Sequence, residues 1–93
     1  MGKAVLVSDK DNVVTTVSDL KKGEDAVYRL SSGTKQIKAV EDIPYGHKVA
    51  LTKIAKGGDI IKYGELIGRA SKDIDPGQWV HTHNTDETYV PSR

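Results

Sequence analysis

The 93-residue sequence contains no cysteine and no phenylalanine, and its other aromatic residues are one tryptophan and four tyrosines. Without cysteine the chain has no disulfides, no thiolate metal ligands and no thiol nucleophile. Fourteen Lys and Arg against thirteen Asp and Glu leave a formal net charge of +1, with both signs interspersed along the chain. This pattern argues against nucleic-acid binding, because a phosphate backbone is bound through clustered cations.

Long hydrophobic runs are also missing. The apolar run at residues 4–7 is shorter than the roughly 7–15 apolar residues of a secretory signal, and nothing approaches a membrane span. We therefore expect a cytoplasmic protein with no membrane contact. A chain of this length forms one domain, too small to enclose a deep substrate pocket. If it takes part in catalysis, we expect a second polypeptide to supply part of the site.

The residues that are present favour β-structure. Residues 13–17 are β-branched at every position, which disfavours helix and suits a pleated sheet. Only residues 62–70 are compatible with a helical turn, and Gly64 and Gly68 weaken that alternative. The sequence therefore predicts an all-β fold with at most one short helix. Alternating or apolar runs predict strands at residues 4–8, 12–17, 26–30, 36–40, 48–54, 59–62 and 78–82.

A short pattern recurs four times, at residues 19–23, 42–46, 53–57 and 73–77. Each copy places an aliphatic residue three positions before a glycine, and an apolar residue follows three positions after that glycine. We interpret each copy as a buried residue, a tight turn closed by a glycine with positive φ, and a return to the core. The irregular spacing argues against a solenoid and favours a compact barrel.

His81 and His83 are the first candidate site residues. If the strand predicted at residues 78–82 continues to His83, both imidazoles leave the same face, where with Asn84 they could bind a metal or hold a carboxylate. Metal sites usually need three or four ligands, so two histidines make an incomplete set. Two solvent-facing histidines at a strand end is the alternative.

The second candidate pair is His47 and Lys48, which follow a turn glycine. A histidine at a rigid turn beside a cation suits an acid/base or hydrogen-bonding role, and Lys48 suits a substrate carboxylate. An ordinary exposed turn is the alternative. Tyr63 could present its hydroxyl to a ligand, although a core position is more usual for a tyrosine between aliphatic residues. Trp79 is expected to cap the core or to contact a partner.

Three segments taken together resemble one family: EDIPYGHKVAL at residues 41–51, IKYGELIGRA at 61–70 and VHTHN at 80–84. In order and spacing they are similar to the N-terminal SAF-type domain of altronate and galactarate dehydratases. This domain also occurs as the separate small subunit of sulfolactate sulfo-lyase and of split altronate dehydratases. The resemblance runs from about residue 12 to Asn84. It implies a small β-clip barrel at residues 1–84, followed by a polar C-terminal tail at residues 85–93.

The resemblance also implies a function. Family members remove water or sulfite from a hydroxy acid, and a large catalytic subunit carries most of the machinery. A divalent metal such as iron or manganese, shared with the large subunit, is the expected cofactor. By motif match, the expected roles are catalytic for His47 and Lys48, substrate-binding for Tyr63 and Asn84, and metal-binding for His81 and His83.

Two other functions stay open: a non-catalytic SAF-type module that binds carbohydrate or an assembly partner, and a purely structural subunit. Starting at Met1 and ending in a polar tail favours a natural small subunit over an excised domain. A homo-oligomer is compatible with the sequence.

Overall fold

The computed structural model describes residues 2–86, which form nine short strands. In chain order the strands are β1 (Gly2–Val5), β2 (Val13–Thr16), β3 (Asp25–Leu30), β4 (Gly33–Lys38), β5 (Lys48–Ala50), β6 (Asp59–Lys62), β7 (Glu65–Ala70), β8 (Trp79–Val80) and β9 (Thr85–Asp86). The predicted all-β class is therefore confirmed. Residues 2–86 contain no helix at all, and hence none that is long and apolar enough to cross a membrane.

The strands form two sheets. A six-stranded sheet has the order β4-β3-β1-β2-β5-β8, and a three-stranded sheet has the order β6-β7-β9. Strands β1 and β3 pair in parallel, and every other named pair is antiparallel. This architecture is that of a small β-clip domain. Strand β9 lies just beyond the boundary predicted at residue 84, and residues 87–93 of the predicted tail lie outside the described residues.

The segment at residues 62–70, considered above for a helical turn, instead completes a hairpin. Lys62 pairs with Glu65, and the two residues between them, Tyr63 and Gly64, have φ of 58° and 72°. Two consecutive positive φ values are typical of the tight turn that matches the twist of a two-stranded ribbon. The carboxylate of the buried Asp11 accepts both turn N–H groups, at 3.1 Å from Tyr63 and 2.8 Å from Gly64.

The four repeated turns adopt one conformation, as predicted. Their glycines have φ between 80° and 91°. The aliphatic residues that precede them bridge in pairs, Leu20 with Ile43 and Ile54 with Ile74, and are at most 4% exposed. Full burial of such a side chain contributes roughly 1.5–3 kcal/mol. The apolar residues that follow the glycines are all buried: Ala26, Val49, Ile60 and Val80.

Aspartates at the start of the turns cap the facing turns. Asp42 accepts the N–H of Lys22, Asp19 accepts the N–H of Tyr45, and Asp73 accepts the N–H of Lys56, each at 2.8 Å. The fourth cap is missing for a covalent reason: Pro76 has no N–H. The turn at residues 53–57, which faces Pro76, correspondingly starts with Lys53 where the other three turns start with an aspartate.

Two hydrophobic clusters lie on opposite faces of the six-stranded sheet. Because side chains alternate along β2, Val14 lies in one cluster and Val13 in the other. The first cluster contains Leu20 and Ile43, and Trp79 packs at its edge. The second lies between the two sheets and comprises Val13, Ala50, Ile54, Ile60, Ala70, Ile74 and Val80.

Candidate functional site

Three histidines converge on Trp79. The centroid of the indole lies 5.3 Å from that of His47, 5.4 Å from His81 and 5.2 Å from His83. His47 and His81 also contact each other, with centroids 4.8 Å apart. We call these four residues the histidine cluster. It unites two segments that lie more than thirty residues apart in the sequence, because β5 pairs with β8.

The backbone of His47 is anchored to the end of β2. Its N–H lies 3.3 Å from the hydroxyl oxygen of the buried Thr16, and its carbonyl accepts the N–H of Thr16 at 2.9 Å. The Thr16 hydroxyl in turn donates to the carbonyl of Pro44 at 2.9 Å. Gly46 adds a bond to the Thr16 carbonyl at 3.0 Å. The turn and the strand together therefore hold the backbone from which the half-buried imidazole projects.

His81 and His83 lie in a tight turn, so the strand predicted at residues 78–82 is shorter than expected and does not meet the condition that it continue to His83. Strand β8 ends at Val80. The reason is the buried side chain of Asn84, which accepts the N–H of His81 at 2.9 Å and donates to the carbonyl of Trp79 at 2.8 Å. The Asn84 N–H closes the turn on the His81 carbonyl at 3.0 Å. Both imidazoles still contact Trp79, but through a turn and not through strand alternation.

Asn84, which the family resemblance implies to be substrate-binding, is 4% exposed, with both ends of its amide bonded within the chain. The Thr85 hydroxyl adds a bond to the His81 carbonyl at 2.9 Å. In this structure the Asn84 side chain shapes the turn that presents His81 and His83.

Lys48 and Trp79 project from opposite faces of the six-stranded sheet. The register pairs Lys48 with Thr15 and Val80, whereas Trp79 pairs with Val49. Paired residues share a face and successive residues alternate. Although Lys48 follows His47 in the chain, its half-buried side chain therefore lies on a different face from the indole that His47 contacts.

Tyr63 lies away from the histidine cluster. The residue is 57% exposed, so the core position weighed for it from the sequence is wrong. Lys62 Nζ lies 4.8 Å from the centroid of its ring. Asp11 holds Tyr63 just before the start of β2, and Thr16 holds His47 at the end of β2. The four residues of β2 span about 10 Å.

The polar chemistry of the cluster centres on one hydrogen bond. The indole Nε1–H of Trp79 donates to Nδ1 of His47 at 3.1 Å. The backbone N–H of Trp79 donates to the carboxylate of Glu41 at 3.1 Å. Sequence reasoning missed the roles of Trp79, Thr16 and Glu41. Only for Trp79 did the sequence hold an indication of such a role, because residues two positions apart on a strand, such as Trp79 and His81, lie on the same face.

The metal prediction for His81 and His83 stays a prediction. Within residues 2–86, no group of three or more His, Asp or Glu side chains is arranged to hold a metal ion. A complete coordination shell that includes these imidazoles therefore needs ligands from beyond the described residues. A surface groove of 440 Å³ contains none of the cluster and is lined by Lys56, Gly57, Arg69, Ala70, Ser71, Thr85 and Asp86.

The fold and the cluster define a small β-clip domain with a histidine-bearing surface. A family model described as the altronate/galactarate dehydratase SAF domain matches residues 2–88, and the chain belongs to this family. The predicted resemblance is therefore confirmed.

Comparison with curated proteins agrees. The chain is 40% identical over 85 residues to altronate dehydratase of Bacillus subtilis (strain 168), covering 91% of this chain and 16% of that protein. It is 43% identical over 76 residues to galactarate dehydratase (L-threo-forming) of Escherichia coli (strain K12), covering 82% and 14%. Against the (2R)-sulfolactate sulfo-lyase subunit alpha of Paracoccus pantotrophus it is 49% identical over 49 residues, covering 53% and 73%. The chain thus spans about one sixth or less of the two dehydratases.

Proposed function

We propose that this chain is a non-autonomous part of a hydroxy-acid lyase, and that its histidine cluster faces an active site completed by a large catalytic polypeptide. The observation that carries the proposal is the convergence of His47, His81 and His83 on one indole, in a domain too small to enclose a deep substrate pocket. A binding or structural module has no particular need for three grouped imidazoles, whereas elimination chemistry does.

The matched proteins support both the reaction class and the divided site. Their names include two sugar-acid dehydratases and a sulfo-lyase, which act on carbon–oxygen and carbon–sulfur bonds respectively. The dehydratases extend far beyond the matched region, and the sulfo-lyase match is a protein named as a subunit. We therefore propose that the substrate is a hydroxy acid and that the partner is a large chain carrying the remaining catalytic groups.

The proposed chemistry is removal of a proton next to a carboxylate, followed by departure of the β-substituent. The enediolate formed in the first step needs positive charge or hydrogen-bond donors, and the leaving group needs a proton. The cluster imidazoles provide such donors, from the half-buried His47 and His81 and the exposed His83. A shared divalent metal would act as a Lewis acid when bound, with His81 and His83 contributing only part of its ligand set.

Reconstitution tests the proposal. We expect the isolated chain to be inactive on altronate, galactarate and sulfolactate, and the chain co-expressed with its large partner to turn over one of them. In the complex, His81→Ala and His83→Ala should each lower turnover by at least about tenfold. Thr82→Ala is the matched control, because Thr82 is an exposed residue between the two histidines.

Two outcomes would count against the proposal. Turnover by the isolated chain would refute the divided active site. Unchanged rates for both histidine variants in an intact complex would instead favour a structural or carbohydrate-binding module.

A further inference from the structure

Trp79 contacts all three histidines but forms its side-chain hydrogen bond with only one of them. We infer that Trp79 is a positioning residue that holds neutral His47 with its ring hydrogen on Nε2, so that His47 serves as a hydrogen-bond donor to an anionic oxygen of the substrate. This inference rests on the proposed function and assigns a single role to His47, for which the sequence left acid, base and donor roles open.

The first step concerns the hydrogen on the imidazole. An indole N–H only donates, and a ring nitrogen that accepts a hydrogen bond carries no hydrogen itself. Since Trp79 Nε1 donates to His47 Nδ1 at 3.1 Å, the hydrogen of the neutral ring is on Nε2. A hydrogen on Nδ1 would place two donors against each other. The bond therefore selects one of the two neutral tautomers.

The second step concerns how the two residues are held. The indole is stacked on His81 with an interplanar angle of 11°, and it packs against the first hydrophobic cluster. The backbone of Trp79 is paired with Val49 in the sheet and bonded to Glu41. The backbone of His47 is bonded to Thr16 in both directions. The His47 ring also contacts that of His81, so the two residues are anchored by separate structural elements and their rings pack within one cluster.

The third step is chemical. A general base at His47 needs a lone pair on Nε2, and metal ligation through Nε2 leaves the hydrogen on Nδ1, so neither role is compatible with the bond from Trp79. Donation from Nε2–H is compatible with it. Neutral imidazoles can stabilise oxygen atoms that gain negative charge during proton abstraction next to a carboxylate. The ligand class is therefore a carboxylate or enediolate oxygen of the hydroxy acid.

Nuclear magnetic resonance on the full chain tests the tautomer without any enzyme assay. The chain has three histidines, so long-range proton–nitrogen correlations can assign each ring. We expect His47 Nε2 to carry the hydrogen and Nδ1 to show scalar coupling to Trp79 Nε1 across the hydrogen bond. Trp79→Phe should abolish that coupling while keeping an aromatic ring against His81. A hydrogen on Nδ1 of His47 in the unmodified chain would overturn the inference.

Kinetics on the reconstituted complex test the role. Glutamine retains an N–H donor near the position of Nε2 but has no basic nitrogen. We expect His47→Ala to lower kcat about 100-fold, on the scale of a lost oxyanion donor, and His47→Gln to stay within about tenfold of the unmodified complex. Equal losses for both variants in an intact complex would overturn the donor role. This comparison is made in an active complex, so it can fail while the divided site stands.

Discussion

The glycines at positions 46 and 77 offer a matched pair for separating two sources of backbone constraint. Both close a copy of the repeated turn, with φ of +80° and +87°. A Cβ added at Gly46 meets nothing within 4 Å, whereas a Cβ at Gly77 would lie 2.1 Å from the carbonyl oxygen of Lys38. Alanine at position 46 therefore introduces only conformational strain. Alanine at position 77 introduces the same strain together with a backbone collision.

The magnitudes follow from these two terms. An L-residue in a left-handed conformation costs roughly 1–2 kcal/mol, and 1 kcal/mol lowers the Tm of a domain of this size by about 4–8 °C. We therefore expect Gly46→Ala to lower the Tm by about 4–16 °C. In Gly77→Ala the Lys38 carbonyl must move, and overpacking of this kind adds about 1–3 kcal/mol. The movement also strains the bond from Val40 N–H to the Gly77 carbonyl, now 3.1 Å.

Thermal unfolding followed by circular dichroism at neutral pH measures both effects. Gly57→Ala serves as a second open-position control, since Gly57 has φ of +83° and no atom within 4 Å of an added Cβ. It should match Gly46→Ala within about 2–3 °C. An equal Tm for Gly46→Ala and Gly77→Ala would refute the close approach of Lys38 to the fourth turn.

The remaining predictions concern the turn after β8 and the loss of stability at low pH. Asn84→Ala leaves the N–H of His81 and the carbonyl of Trp79 without their partner, so we expect a loss of about 2–4 kcal/mol in the free energy of unfolding. Urea unfolding measures this loss, with Thr82→Ala as the control, and equal unfolding midpoints for the two variants would contradict it. The backbone N–H of Lys21 lowers the pKa of the Glu24 carboxyl below its ordinary 4.5. This stabilisation is present above pH 4.5 and is lost as pH falls through the lowered pKa, so the Tm of Glu24→Gln should depend less on pH below about 4.5.

Much of the fold follows from short-range patterns. An aliphatic residue three positions before a glycine predicted all four turns, because a buried side chain and a positive φ are local requirements. The run of β-branched residues at 13–17 predicted β2, because the strand preference of such residues is also a local property. The strand predicted at residues 48–54 was too long, since residues 53–57 enter the next turn and β5 ends at Ala50.

Contacts between residues distant in the sequence could not be predicted from such local patterns. Nothing in the sequence pairs Leu20 with Ile43 and not with Ile54, because that choice depends on how the sheets close. The turn at residues 81–84 was missed because a single amide, that of Asn84, overrides the alternation that β8 begins. Trp79 was expected at the core edge or at a partner, and its packing against the first cluster agrees with the former. Its bond to His47 depends on the register between β5 and β8.

The paired bridges have a consequence for how this chain reaches its native state. Leu20 and Ile43, like Ile54 and Ile74, are separated by about twenty residues, so each bridge closes a loop of modest entropic cost. The two loops occupy successive stretches of the chain, and β2, β5 and β8 join them through Val13, Ala50 and their neighbours. Each loop can therefore close before the other is formed. The amide hydrogens of β2 and β5, which join the two loops, should exchange with solvent only when the whole domain unfolds. Those of the edge strand β4 should exchange through smaller, local openings.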